Sequence, residues 1–190
     1  MSGHPHSFSR YCMHCGQRLS TAVPEGDSKR RLVCIDCGFV HYINPRPVAE
    51  ALAQALRATT VLVTPAFPDN GRTVFKGHLF VGDVLLSDSG MQNHPLTPMT
   101  DANLVRVLQA QTRRRVGLID YRVVAQGAAA IRERIAALRA QGVGVAVVDA
   151  LSNDDLLRLG PALQGLPLVT AGSGVAIALP ANFGLAPSST

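Results

Sequence analysis

All four cysteines of this 190-residue chain fall within its first 40 residues, as Cys12-Met-His-Cys15 and Cys34-Ile-Asp-Cys37. Eighteen residues separate the pairs, and each pair is followed by a glycine, Gly16 or Gly38. Glycine lets the backbone curl tightly beneath a metal ion. Two such knuckles offer four thiolates, enough to close a tetrahedron around Zn2+. Cys12, Cys15, Cys34 and Cys37 are therefore the expected ligands of a structural zinc. Two disulfides, or a C-x-x-C redox pair, would use the same residues. The N-terminus, MSGHPHSFSR, lacks the apolar segment of a secretory leader. That points to the cytoplasm, where thiols stay reduced. A redox pair is opposed by the duplicated knuckle and by the lack of an adjoining βαβ pattern. His14 and His41 could substitute as donors, although four cysteines already complete the set; His4 and His6 sit in a terminal tail. A piece of about 40 residues buries too little apolar surface to fold alone, so metal binding would supply its folding free energy.

Beyond Asn44-Pro45-Arg46-Pro47 the pattern changes. Val48–Arg57 reads as a short helix with Pro47 at its first position. Thr60–Thr64 (TVLVT) and Val143–Val148 (VGVAVV) are short continuous apolar runs, as expected of buried parallel strands. Thr73–Val81 and Val84–Ser87 read as a hairpin turning at Gly82-Asp83. Ser89–Met99 is a proline-stiffened polar loop carrying His94 and Thr97. Thr100 is the expected cap of a helix with Asp101 in its first turn, running up to Arg115. Gly117–Val124 reads as a strand, and Ala128–Gln141 as a helix burying Ile131, Ile135 and Leu138. Ser152 should cap another helix with Asp154 and Asp155 in its first turn. Gly160-Pro161 should break it, and Leu166–Thr170 reads as the last strand. Gly172-Ser173-Gly174 then leads into a helix at Val175–Ala181. Alternating strands and helices predict an α/β fold: a partial doubly wound, mainly parallel sheet with a β-hairpin, preceded by a small zinc ribbon. The expected domains are 1–47, ribbon and tail, and 48–190, the α/β part.

The run PAFPDNGRTVFKGHLFVGDVLLSDSGMQNHPLTPMTDANLVRVLQAQT closely resembles the four-carbon acid sugar kinases, the oxo-tetronate kinase group, with likeness from about Leu62 to Phe183. The resemblance implies ATP-dependent phosphorylation of a sugar acid, with ATP and Mg2+ bound mainly by a C-terminal domain. In that family an Asp-Asp-Phe-Thr-Gly-Ala opening and a Cys-Ser-Thr-Phe-Asp-Ser stretch precede the helix that Val48–Arg57 imitates. Neither occurs here, and a cysteine-bearing segment stands in their place. The 48–190 part is thus expected to be incomplete relative to the family. Kinase activity would need an ATP-binding domain or a second chain. The segment YCMHCGQRL…RLVCIDCGFVHYINPRPV in turn resembles the zinc ribbon that precedes some Nudix hydrolases. Their reaction needs a glutamate-rich helix that gathers Mg2+. The only glutamates here are Glu25, Glu50 and Glu133, so that hydrolysis is disfavoured.

The polar residues of the kinase-like part give the candidate contacts for an acidic small molecule. They are His78 on the hairpin, His94 and Thr97 in the loop, Arg115 after the helix, and Ser173 and Gly174 at the glycine-rich turn. Arginine's fork fits carboxylate and phosphate, while backbone amides at a helix start can hold an anion. The structural alternatives are a snorkelling arginine, a satisfied histidine and a crowded connector. No G-x-x-x-x-G-K-[ST] cradle exists, and the only lysines are Lys29 and Lys76. Net charge is +5 with scattered arginines, which permits nucleic acid as a partner without demanding it. A second reading is accordingly a ribbon binding nucleic acid or protein through Arg18, Lys29, Arg30 and Arg31. No apolar run approaches the length of a membrane span, so no membrane partner is expected.

Overall fold

The computed structural model describes residues 11–12, 15–24, 30–41, 52–94 and 98–185. His4, His6, His14, Lys29, Thr97 and the Asn44–Pro47 junction lie outside them. Two compact units are present, Met1–Pro45 and Arg46–Thr190.

In the first unit, β1 (Leu19–Ala22), β2 (Arg31–Cys34) and β3 (Val40–His41) form an antiparallel sheet in the order β1-β2-β3. Two matching turns carry the cysteines. Gly16 N–H donates to Cys12 O at 2.8 Å, and Gly38 N–H donates to Cys34 O at 2.9 Å. Both glycines are left-handed, at φ 76 and 71. A side chain there would strain the turn, which is why glycine follows each pair.

The second unit is built on four parallel strands in the order β10-β4-β9-β8: β4 (Val61–Thr64), β8 (Arg115–Ile119), β9 (Val143–Val148) and β10 (Val169–Ala171). Central β9 is buried at all six positions, as its unbroken apolar run requires. Helix α4 (Ala128–Ala140) packs Ile131, Ile135 and Leu138 inward, and α5 (Asn153–Leu159) packs Leu156 and Leu159. Ser152 caps α5 in a full capping box with Asp155. A short helical turn at residues 52–55, α1, is the described part of the expected Val48–Arg57 helix. Its Ala53 packs with Ala58 and Val61 in a small separate cluster.

Several boundaries differ from expectation for identifiable reasons. Thr73–Val81 is two strands, β5 (Arg72–Phe75) and β6 (His78–Val81), because the chain turns at Lys76-Gly77 with φ 48 and 73. The Gly82-Asp83 turn follows, leading into β7 (Val84–Leu85), so the antiparallel sheet has three strands rather than two. Helix α2 (Leu104–Gln109) is capped by Asn103 rather than Thr100. Asp101 precedes it, accepting the Asn103 N–H at 2.9 Å and pairing with Arg106.

The same helix stops at Gln109 because that side chain turns back on the strand. It donates to Arg114 O at 3.1 Å and accepts the Val116 N–H at 2.9 Å. Arg115 is thereby the first residue of β8, not the end of a helix. Gly117–Val124 divides into the end of β8 and a helix, α3 (Tyr121–Ala125), capped by Asp120. The expected Val175–Ala181 helix is two 3-10 segments, Ser173–Ala178 and Pro180–Phe183. Pro180, which lacks an N–H, begins the second.

Candidate functional site

The four sulfurs of the first unit converge. Cys12 Sγ lies 3.7 Å from Cys37 Sγ, Cys15 Sγ lies 3.4 Å from Cys34 Sγ, and all four fall within 4.8 Å of one another. A disulfide needs about 2.0 Å. Thiolates on a tetrahedral zinc, with bonds of about 2.3 Å, stand about 3.8 Å apart. The donor set and spacing fit that ion.

The thiols are also electrostatically unequal. The Gln17 amide lowers Cys15, yet the Cys37 and Cys34 thiols, burial and Cys12 together push it up to about 12. Cys34 is drawn down to about 7, foremost by the Cys37 backbone amide and, against burial, by the Asp36 amide and the Cys15 thiol. Four crowded sulfurs cannot all carry charge without a cation between them.

In the second unit all four parallel strands end at one edge of the sheet, where open α/β sheets place their ligands. There β4 runs into Pro65-Ala66, β8 into Asp120-Tyr121, β9 into Asp149-Ala150 and β10 into Gly172. Asp149 organises this edge. It is fully buried, and its carboxylate accepts three backbone N–H groups: Lys76 at 2.7 Å, Gly77 at 2.8 Å and Tyr121 at 3.0 Å. Burial pushes its carboxyl above the ordinary range, the three N–H groups pull it down, and the Asp120 charge adds to the rise. The hairpin turn and the start of α3 are thus tied to the end of β9. Phe75 and Tyr121 stack beside the tie, with ring centroids 4.8 Å apart and planes tilted by 43°. Lys76 Nζ lies 5.6 Å from the centre of the Phe75 ring, and Arg122 Cζ lies 5.6 Å from that of Tyr121.

The sequence candidates divide. His78 adjoins this edge, with both ring nitrogens engaged. Asn103 Oδ1 accepts the Arg106 N–H at 3.0 Å, which turns Asn103 Nδ2 toward His78 Nε2 at 3.2 Å. Nε2 must then accept, so Nδ1 carries the proton and donates to Lys76 O at 2.9 Å. Ser173 and Gly174 follow β10 at the same edge. A Cβ on Gly174 would meet Phe67 Cδ2 at 2.9 Å, so the glycine is required by close packing. The 3-10 turn they open has six residues, too few to align a strong dipole.

His94 closes a 3-10 turn, its N–H donating to Met91 O at 3.1 Å. Arg115 stands at the opposite edge, at the amino end of β8, where it donates to Gln141 O at 3.1 Å. The structure therefore does not bring Arg115 to Ser173 and Gly174. Asp149, Lys76 and Tyr121 escaped the sequence reading. An aspartate directly after the buried VGVAVV strand was the available signal.

Comparison with known proteins agrees with this architecture. A family model described as the sugar-binding N-terminal domain matches residues 44–179, and a zinc-ribbon model described as Nudix N-terminal matches residues 10–43. A 3-oxo-tetronate kinase of Pseudomonas savastanoi pv. phaseolicola is 64% identical over 136 residues, covering 72% of this chain and 32% of that protein. One from Cupriavidus necator is 61% identical over 140 residues, covering 74% and 32%.

Among solved structures, a Haemophilus influenzae protein superposes with a TM-score of 0.70 at 48% identity, covering 75% of this chain and 35% of that one. A Bordetella bronchiseptica protein, described with bound citrate as a domain-swapped dimer, gives 0.58 at 28%, covering 71% and 32%. This chain spans about a third of the length of the curated relatives it matches. Among the described residues no helix is long and apolar enough to cross a membrane. With its family model covering residues 44–179, the chain belongs to the sugar-binding N-terminal domain family.

Proposed function

We propose that Arg46–Thr190 is a sugar-acid-binding unit of the 3-oxo-tetronate kinase type, joined to a ribbon that holds one structural Zn2+ through Cys12, Cys15, Cys34 and Cys37. The observation that carries the reading is the 64% identity over 136 residues to a 3-oxo-tetronate kinase. A relative of 28% identity is described with bound citrate, a small hydroxy acid. The carboxyl edge of the sheet, with Asp149 tying its loops together, is the surface that receives the acid.

Phosphorylation by ATP belongs to the assembled enzyme. Phosphoryl transfer rests on positioning a nucleotide and Mg2+ around the acceptor. In this reading those contacts come from an ATP-binding domain or second chain equivalent to the part of the relatives that this chain does not span. The chain alone then binds a four-carbon sugar acid without turning ATP over. Zinc does no chemistry here; it closes the ribbon.

Calorimetric titration with tetronates, beside an ADP-release assay with ATP and Mg2+, tests the reading. Saturable binding of a tetronate without ADP release is expected. ADP release dependent on a tetronate would overturn the division of labour. Absence of binding to any four-carbon sugar acid would overturn the assignment itself.

A further inference from the structure

We propose that His78 and Asn103 form a pH-operated exchange at the start of α2. When His78 takes up a proton, the Asn103 side-chain oxygen leaves the Arg106 N–H that it caps and turns to the imidazolium.

The backbone pins the two side chains opposite one another. His78 and Asn103 face each other in an isolated antiparallel bridge, flanked by Leu79 N–H to Ala102 O at 3.0 Å and Leu104 N–H to Gly77 O at 2.8 Å. A pair flanked by its ladder bonds, rather than exchanging them, holds its side chains closest. His78 Nδ1 lies 2.9 Å from Lys76 O and donates there in either charge state. Nε2 is therefore the atom whose role changes. In the neutral ring it accepts from Asn103 Nδ2 at 3.2 Å, while Asn103 Oδ1 accepts the Arg106 N–H at 3.0 Å. Both ring nitrogens and the amide oxygen then meet a partner of opposite role.

A protonated Nε2 is a donor, and it meets the Nδ2 donor head-on. Turning the amide over removes that conflict, but it carries the oxygen away from Arg106. The imidazolium wins this competition, because a charge-assisted hydrogen bond is about twice as strong as a neutral one. The neighbouring acids do not intercept it. Asp101 is the acid whose charge reaches His78, yet its oxygens already hold the Arg106 guanidinium at 2.6 and 2.7 Å and the Asn103 N–H at 2.9 Å. Asp149 is buried and taken by the Lys76, Gly77 and Tyr121 N–H groups. Lys76 and Arg106 are exposed, so solvent and salt screen their charges. Helix α2 has only six residues, and an unfilled Arg106 N–H loosens much of its first turn.

The test is NMR-detected amide exchange of the full chain at about pH 7.5 and about pH 5.5, corrected for intrinsic exchange, a span that covers the ordinary histidine range. Protection of the Arg106 amide should fall about fivefold on acidification, the worth of one neutral hydrogen bond. H78Q carries no titrating ring and should show no fall. N103D should show none either: aspartate caps as well as asparagine, and its two oxygens serve the N–H and the imidazolium together.

Unchanged Arg106 protection in the wild type would overturn the proposal. A fall that persists in H78Q would assign the titration to another group and overturn it as well. A fall in N103D equal to that of the wild type would show that Asn103 does not change partners. No ligand enters the measurement, so its result leaves the sugar-acid reading as it stands.

Discussion

Asp149 accepts the Gly77 N–H at 2.8 Å across 72 residues of sequence. One buried carboxylate thereby closes the loop between a hairpin tip and the end of the central strand. Asp149→Ala leaves three backbone N–H groups facing a void. A cost of about 3 kcal/mol or more is expected, since each buried donor deprived of its acceptor forfeits about 1–3 kcal/mol. Denaturant unfolding of the α/β unit measures it; a loss below about 1 kcal/mol would show that the tie is not structural.

Two carboxylates give opposite pH trends. Asp101 is held below the usual range, first by the Arg106 side chain and then by the Asn103 N–H. A depressed folded pKa stabilises above the ordinary carboxylate range, and that contribution disappears as pH falls through the depressed value. The melting-temperature advantage of wild type over D101N should therefore shrink on acidification. Asp149 is raised, foremost by burial. Its contribution is fully present below the ordinary range and lost as pH rises through the raised value, so the advantage over D149N should narrow as pH climbs. Melting curves for both variants between acid and neutral pH check the two signs together.

Gly160 is required by close contact with Ala178 at the end of the Ser173–Ala178 segment. A Cβ there would sit 2.3 Å from Ala178 Cβ and 2.8 Å from Ala178 O. Gly160→Ala must push α5 and the Ser173–Ala178 segment apart, at a cost of about 1–3 kcal/mol by overpacking. Ala178→Gly in the same chain should recover part of that loss, read as a non-additive double-mutant cycle.

Metal removal should act on one unit only. On the zinc proposal, a strong chelator is expected to take one zinc per chain and unfold the ribbon, because metal binding to the four thiolates would supply its folding free energy. The melting transition of Arg46–Thr190, which draws on its own core, should persist. Metal analysis with amide exchange resolved by segment measures both. Ribbon protection that survives full metal loss would show that its strands hold themselves together.

The sequence disclosed whatever repeats locally. Ser152 with Asp154 and Asp155 behind it announced a capped helix, and Ile131, Ile135 and Leu138 traced a buried stripe. The paired C-x-x-C-G turns described both knuckles, because each knuckle is closed by its own neighbours. What stayed hidden depends on partners far along the chain. Lys76-Gly77 reads as mid-strand until Asp149 is seen to bind both amides. Arg115 reads as the end of a helix until Gln109 folds back on Arg114 and Val116 and starts a strand there. His78 reads as a candidate contact or a satisfied histidine by residue type, and only the structure shows Asn103 at its Nε2 and Lys76 O at its Nδ1.

That folded-back glutamine also gives the sheet a direction of growth. Along the outer margin of β8, the Arg114 carbonyl and Val116 amide are taken by Gln109, and the Leu118 carbonyl receives Arg134 at 3.3 Å. An incoming strand finds those hydrogen-bonding groups already satisfied. At the far margin β10 is three residues long and, among the described residues, ladders only with β4. Lateral extension by another polypeptide is hindered along β8, and among the described residues no strand ladders with the outer margin of β10, so a larger sheet made from this one would lengthen more readily there.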